Sequence, residues 1–209
     1  MASKGKNFSL GGYLVLGNVA DIERWTNPDT ASLGTFEENN FIGAFSFSYG
    51  FNKFDLGLSL KYAYEKMDYA SAGAYMIDAG VFMPINKELS AGVAVKNFGN
   101  KVKFITESYS LSREFRAGLS YKPQHFQQSL ELVSDVVFYS DIDTKVNFGA
   151  EYKFNRSFAL RAGYGTGYDS RGISFGGGVF YRQFKFDYAF VNYKNNLGNT
   201  HRFTVGVQF

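Results

Sequence analysis

The chain contains no cysteine. That excludes a disulfide framework, a thiolate metal site and a cysteine nucleophile. Its three prolines are scattered, and no Pro/Ser/Gly-rich linker divides the 209 residues. The expectation is one domain, 1–209. No segment approaches 18 consecutive apolar residues, which excludes a helical membrane span. Charge is nearly balanced, 22 basic against 19 acidic residues for a net +3. With no block of like charge, no nucleic-acid partner is expected. Ala/Leu/Glu-rich helical stretches are missing too. The start, Met1-Ala2-Ser3-Lys4-Gly5-Lys6, carries no export signal and runs straight into a strand. An exported protein would have this sequence as its mature or trimmed form.

What the chain does have is aromatic residues, 19% of the total, and 23 glycines. Both suit sheets and tight turns. The dominant signal is alternation with a period of two, the mark of strands with two unlike faces. In the last ten residues Phe203, Val205, Val207 and Phe209 share one face, and Arg202, Thr204, Gly206 and Gln208 the other. Leu56, Leu58, Leu60, Tyr62 and Tyr64 alternate in the same way with Asp55, Gly57, Ser59, Lys61 and Glu65.

This pattern predicts about twelve strands, at 7–17, 40–50, 54–66, 71–83, 88–97, 112–122, 128–139, 144–154, 157–166, 172–182, 184–193 and 200–209. Most hold about ten residues, the length that crosses a bilayer when tilted. Connections such as 50–53, 84–87 and 155–156 are short, whereas 18–39, 98–111, 165–171 and 194–199 are longer. Short turns at one end and long loops at the other mark outer-membrane barrels. The expected fold is therefore all-β, an antiparallel transmembrane β-barrel in a bacterial outer membrane, with lipid as its first partner.

Size argues that the apolar face points outward. Eight strands already make a barrel wide enough for side chains to fill it, so inward aromatics in a twelve-stranded one would leave a greasy void. A soluble sandwich of two sheets is the competing arrangement, and it leaves strand length and loop asymmetry unexplained. Outward apolar residues require lipid and a sheet whose backbone groups are all paired. The charged set then lines the lumen: Asp55, Lys61, Glu65, Asp78, Lys96, Glu114, Arg116, Glu131, Asp135, Glu151, Lys153, Arg161, Lys185, Asp187 and Arg202. The signs are mixed, which suits either cross-lumen ion pairs or the lining of a weakly selective pore. Tyr49, Phe51, Phe82, Tyr121, Phe154, Phe158 and Phe209 towards the short turns, and Tyr64, Tyr139, Tyr164 and Tyr193 towards the loops, are candidates for two aromatic girdles.

Several segments read as C-terminal family motifs: Asn147-Phe148-Gly149-Ala150-Glu151-Tyr152, Ala159-Leu160-Arg161-Ala162-Gly163-Tyr164, Asp187-Tyr188-Ala189-Phe190-Val191 and Leu197-Gly198-Asn199-Thr200-His201-Arg202-Phe203. Together with Asp55–Tyr62 and Val95–Gly99, they resemble the PorV/PorQ-type branch of the FadL-like outer-membrane barrels, over about residues 40–209. Members usually carry early strands and an inward-folded hatch with a Trp-Asn-Pro-Ala-like motif. Trp25 and Asn27-Pro28 follow the first strand here and are not equated with it. The resemblance implies a structural or secretion-associated barrel whose loops 18–39 and 98–111 meet secretion components or cargo. It also implies that the barrel-insertion machinery reads Phe203, Val205, Val207 and Phe209. The alternative is a passive channel or transporter for hydrophobic or small solutes, with Phe98 and Phe104 at an entry site.

No enzyme, cofactor or metal site is expected. Of the two histidines, His125 falls in a turn and His201 in the C-terminal motif, where a structural role is favoured over a Ser/His pair. Asp141 and Asp143 suit a polar turn better than a calcium site. Gly176-Gly177-Gly178 has no following helix and so is no phosphate loop. Strand glycines more often permit bending.

Overall fold

The computed structural model describes residues 2–4, 7–25, 27, 31–104, 107–127, 129–154, 157–195 and 198–207. The strands are β1 (Ala2–Lys4), β2 (Phe8–Glu23), β3 (Thr35–Gly50), β4 (Asp55–Met67), β5 (Ala70–Pro84), β6 (Leu89–Gly99), β7 (Val102–Phe104), β8 (Glu107–Tyr109), β9 (Glu114–Tyr121), β10 (Leu130–Tyr139), β11 (Lys145–Phe154), β12 (Phe158–Thr166), β13 (Arg171–Tyr181), β14 (Phe184–Tyr193) and β15 (Asn199–Val207). One 3-10 turn, Gln124–Phe126, is the helical element among the described residues. The long strands follow one another in the sheet in chain order, an up-and-down antiparallel meander, while β7 and β8 form a separate hairpin. The chain divides into two compact units, Met1–Val81 with Ala94–Glu114, and Phe82–Val93 with Phe115–Phe209.

All twelve expected strands are present, most within two residues of their predicted ends. Three differences stand out. β2 and β3 continue to Glu23 and from Thr35, so the expected loop 18–39 shrinks to 24–34. Their extra pairs, Val19↔Glu38, Ile22↔Phe36 and Glu23↔Thr35, lie around a bulge where Asp21 has φ 58°. Polar residues interrupt the alternation there, but the ladder persists because antiparallel pairing needs only backbone groups. Secondly, β1 adds a short pairing of Ala2–Lys4 with Ser9–Gly11. Thirdly, the described residues within 98–111 are no free loop. They fold into the β7–β8 hairpin, and Val102 is buried against Ala72 and Ala74 of β5 with Leu111 packed beside them.

In the first unit the register places Phe41, Phe45, Phe47 and Tyr49 of β3 opposite Tyr64, Leu60, Leu58 and Leu56 of β4. This apolar face has sharp limits. At one end the row is Phe8, Tyr49 and Leu56, with Phe51 and Phe54 stacked at 4.7 Å in the adjoining turn. At the other it turns polar at the row Asn18–Asn39–Lys66, where the two asparagines share a 2.9 Å hydrogen bond. The nine residues from Phe41 to Tyr49 between these rows match the length of a tilted membrane strand, about 9–11 residues.

In the second unit Phe148, Ala150, Tyr152 and Phe154 face Tyr164, Ala162, Leu160 and Phe158. Phe184, Phe186 and Tyr188 face Val207, Val205 and Phe203. Tyr139 and Tyr193 do not join the aromatic face. Tyr139 has the parity of Val137, which is registered with Lys145, and Tyr193 is registered with Arg171.

The distribution of buried residues is inverted relative to a water-soluble sandwich. The apolar face is exposed: Leu60 is 61% accessible, Phe45 56%, Leu160 59% and Phe203 78%. Among the described residues the buried apolar side chains are Ala72, Ala74, Met76, Val137 and Ala159, all on the charged face, together with Val102 of the hairpin. A sandwich core would bury the aromatic face, and this structure leaves it bare.

Candidate functional site: a charged sheet face and its cavity

Alternation puts every described member of the expected charged set on the face opposite the aromatics, and the strands bring most of them together as ion pairs. In the first unit Lys61 Nζ on β4 lies 2.7 Å from Asp78 Oδ1 on β5. It also donates to Asn97 Oδ1 at 2.6 Å. Asn97, at φ 62°, turns its own amide towards Asp78 Oδ1 at 2.9 Å, and its side-chain amide donates to the Ser112 carbonyl. The positive φ, which asparagine tolerates better than most residues, thus joins β4, β5 and the segment that leads from the hairpin to β9 at one point. Lys96 pairs with Glu114 at 3.0 Å.

Asp55 and Glu65 lie near the two ends of β4 on this face, without ion-pair partners among the described residues. Tyr109 of the hairpin is the neighbour Glu65 acts on. Partial burial raises the Tyr109 phenol above its ordinary value, and the Glu65 carboxylate pushes the same way. The burial of Val102 against Ala72 and Ala74 seats the hairpin over the charged face. A chain reversal at Asn100 holds it there, the Asn100 side chain accepting from the Tyr75 amide at 2.7 Å. Gly99 is obligatory at that reversal, because a Cβ would collide with the Tyr75 carbonyl.

In the second unit Arg116 meets Asp135 at 3.2 Å, and Asp135 accepts from the Asn147 side chain at 2.6 Å. Glu131 accepts from the Ser120 hydroxyl at 2.7 Å and pairs with Lys122 at 3.3 Å. The longest network runs Lys153–Glu151–Arg161–Asp187–Lys185, with gaps of 3.0, 2.5, 2.6 and 2.9 Å. Its central arginine sits on β12 and its aspartate, Asp187, on β14, so Arg161 must cross β13. It does so over Gly178, where a Cβ would stand 2.8 Å from Asp187 Oδ1 and 3.2 Å from both terminal nitrogens of Arg161. The glycine triplet therefore opens a passage for an ion pair, a reason more specific than strand bending.

Two basic residues escaped the reading of the sequence. Lys122 lies just past β9. Lys145 begins β11 and is buried, bonded to the Gly167 carbonyl and lying 5.4 Å from the Tyr168 ring. Arg171 covers the same ring at 3.9 Å. The connection between β12 and β13 thus folds back over this face instead of standing away from it. Lys145 shares the parity of Asn147 and Glu151, and that parity could have identified it.

Beyond the network lies a hollow of about 320 Å³ on β12–β15. Its floor follows one row of the register, Arg161↔Gly176, Gly176↔Ala189 and Ala189↔Arg202. Two small residues between two arginines make the depression. Ser174, Val191 and Thr204 border it.

His201 lies on the aromatic face, its Nδ1 2.8 Å from the Tyr188 hydroxyl and its ring beside Phe190. No carboxylate or serine completes a hydrolytic set around it among the described residues. Asp141 and Asp143 are exposed in the β10–β11 turn. Of the expected insertion signal, Phe203, Val205 and Val207 lie on the aromatic face of β15, and Phe209 is outside the described residues. Phe98 is 49% exposed with the Arg113 guanidinium 5.2 Å from its ring centre, so it is a capped aromatic at the hairpin root. The Phe104 side chain is outside the described set.

A bare aromatic face, a wholly antiparallel meander and a paired charged face define a membrane-barrel type of sheet. The solved structures it resembles are of that kind. The Ralstonia pickettii toluene transporter TbuX matches with a TM-score of 0.69 at 11% identity, over 100% of this chain and 79% of that one. The Pseudomonas putida toluene transporter TodX matches at 0.63 and 12% identity, over 91% of this chain and 74% of that one. The CymD monoaromatic hydrocarbon channel matches at 0.60 and 14% identity, over 98% and 78%. These likenesses establish the fold, that of a FadL-like barrel. No protein-family model matches the chain, and no curated protein sequence matches it. The narrower PorV/PorQ assignment rests on the sequence motifs alone.

Proposed function

We propose that the chain is an integral outer-membrane barrel protein that acts as a channel for small, predominantly hydrophobic solutes. The observation that carries this reading is the inversion of the sheet. Its large apolar side chains are bare, while most of the charged set is paired on the other face. A protein in water would reverse that arrangement, since burying apolar area stabilises by about 25 cal/mol per Å². In a bilayer it is the only affordable one, because a charge facing lipid at mid-depth costs about 2–4 kcal/mol. The fold shared with hydrocarbon transporters and channels adds support. On this reading the charged face is the lumen wall, lipid is the first partner and the barrel-insertion machinery the second.

The test is single-channel recording in planar bilayers, paired with uptake of a labelled monoaromatic hydrocarbon into proteoliposomes. A steady conductance or protein-dependent uptake is the expected result. Folded, inserted protein that supports neither would remove the channel reading.

The PorV-like, secretion-associated reading keeps the support of the C-terminal motifs. The surface it would offer within 98–111 is the β7–β8 hairpin packed on β5, not an open loop. Co-purification of a secretion component through residues 24–34 would revive it.

A further inference from the structure

The hollow on β12–β15 has a feature the ion-pair networks do not use. Arg161 is satisfied on both sides, by Glu151 and Asp187. Arg202, at the other end of the same row, has no ion-pair or hydrogen-bond partner among the described residues, although every other basic residue of the expected set is paired. The charged residues that line the hollow are two cations, Arg161 and Arg202, and one carboxylate, Asp187. The lining therefore carries a surplus of one positive charge, and Arg202 supplies it. Between the arginines the floor is Gly176 and Ala189, flat and without polar side chains, with Val191 along one edge. From Arg161 to Arg202 is three strand spacings, about 14 Å. The volume of about 320 Å³ lies at the small end of ligand pockets.

From this we infer that the hollow is a binding site for a small organic acid. Its carboxylate would engage the Arg202 guanidinium, which presents a fork matched to two carboxylate oxygens. Ser174 and Thr204 offer hydroxyl donors nearby. Its planar apolar body would lie over Gly176 and Ala189, against Val191. The size of the hollow selects a ring or short chain, not a long acyl chain. The site rests on the charged face being wetted, as the channel reading holds. Equilibrium binding in micelles addresses the site alone, while conductance addresses the channel, so the two can fail separately.

The experiment is calorimetric titration of the detergent-folded protein with sodium benzoate, benzyl alcohol and inorganic phosphate, after circular dichroism has shown β-structure in each variant. Saturable benzoate binding is expected, about tenfold or more tighter than that of the neutral alcohol, the factor one lost charged contact produces. Arg202→Gln should weaken benzoate by a similar factor, and Arg202→Lys should keep part of the affinity. Ala189→Leu should weaken it with Arg202 in place, because the floor is filled. Absence of saturable benzoate binding would overturn the site. So would unchanged affinity in Arg202→Gln or Ala189→Leu. Phosphate binding as tight as benzoate would reduce the hollow to a general anion patch and overturn the organic-acid assignment. If Arg202→Gln does not fold, Arg202→Lys and Ala189→Leu decide.

Discussion

Arg161 reaches across an intervening strand to Asp187, Nη1 to Oδ1 at 2.6 Å, over the bare backbone of Gly178. Two side chains that are not on neighbouring strands are thereby tied together, and the tie depends on a residue that takes no part in it.

Gly178→Val should therefore act like a mutation of the ion pair. Its Cβ would enter the space of the Asp187 carboxylate, leaving partly buried charges without their partner at a cost of about 1–3 kcal/mol. The thermal transition of the folded barrel, followed by heat-modifiable mobility on gels, should fall. Gly177→Ala is the control, since a Cβ there meets nothing closer than 3.7 Å. Equal damage from both would remove the passage as the explanation.

Leu58 and Lys61 lie three residues apart on β4 and on opposite faces. Leu58→Arg places a charge among lipid tails, at about 2–4 kcal/mol. Lys61→Leu loses one ion pair and one hydrogen bond, and neighbouring polar groups and water can partly replace them. Refolding yield into vesicles should drop much further for Leu58→Arg. Similar yields would reverse the assignment of the faces.

The β7–β8 hairpin is held by a small apolar contact, Val102 on Ala72 and Ala74. Val102→Glu would put a carboxylate into that contact. Limited proteolysis should then cut within 100–113 while the strands stay intact. On the channel reading, conductance should rise as the hairpin leaves the charged face. Protection from protease equal to that of the parent would show that other contacts seat the hairpin.

Because the chain has no cysteine, single cysteines report cleanly. Phe45→Cys and Ser46→Cys are adjacent on β3 and face opposite ways. A probe at position 45 should be quenched by brominated lipid tails, and one at position 46 by aqueous iodide. Identical quenching at both would be incompatible with a two-faced membrane strand.

Alternation made the strands legible because it reflects burial on one side and charge on the other, and that contrast is strongest where lipid meets one face. It failed where neither face has to be apolar. The continuation of β2 and β3 past Asn18 and Asn39 is stabilised by backbone pairing alone, and the β7–β8 strands are too short to show a period. The charged set was legible for the same reason as the strands, as residues of one parity. Its partnerships were not. Arg161 finding Asp187 depends on register across three strands and on a missing side chain between them. The isolation of Arg202 emerges only when its neighbours have been accounted for. Lys145 was overlooked because it opens its strand, where parity has no preceding residue to confirm it.

The polar row Asn18–Asn39–Lys66 ends the greasy surface of the first unit, but β2 and β3 stay zipped through three more registered pairs, out to Glu23 and Thr35, a rise of about 13 Å over four residues of β3 at about 3.3 Å each. A two-stranded ribbon of that height clears the headgroups and stands in water as a handle. An antibody tag grafted between Arg24 and Leu33, where the backbones still clasp each other through the Arg24 and Leu33 bond of 2.9 Å, would ride on a stiff mast and report, on whole cells, which end of the molecule looks out.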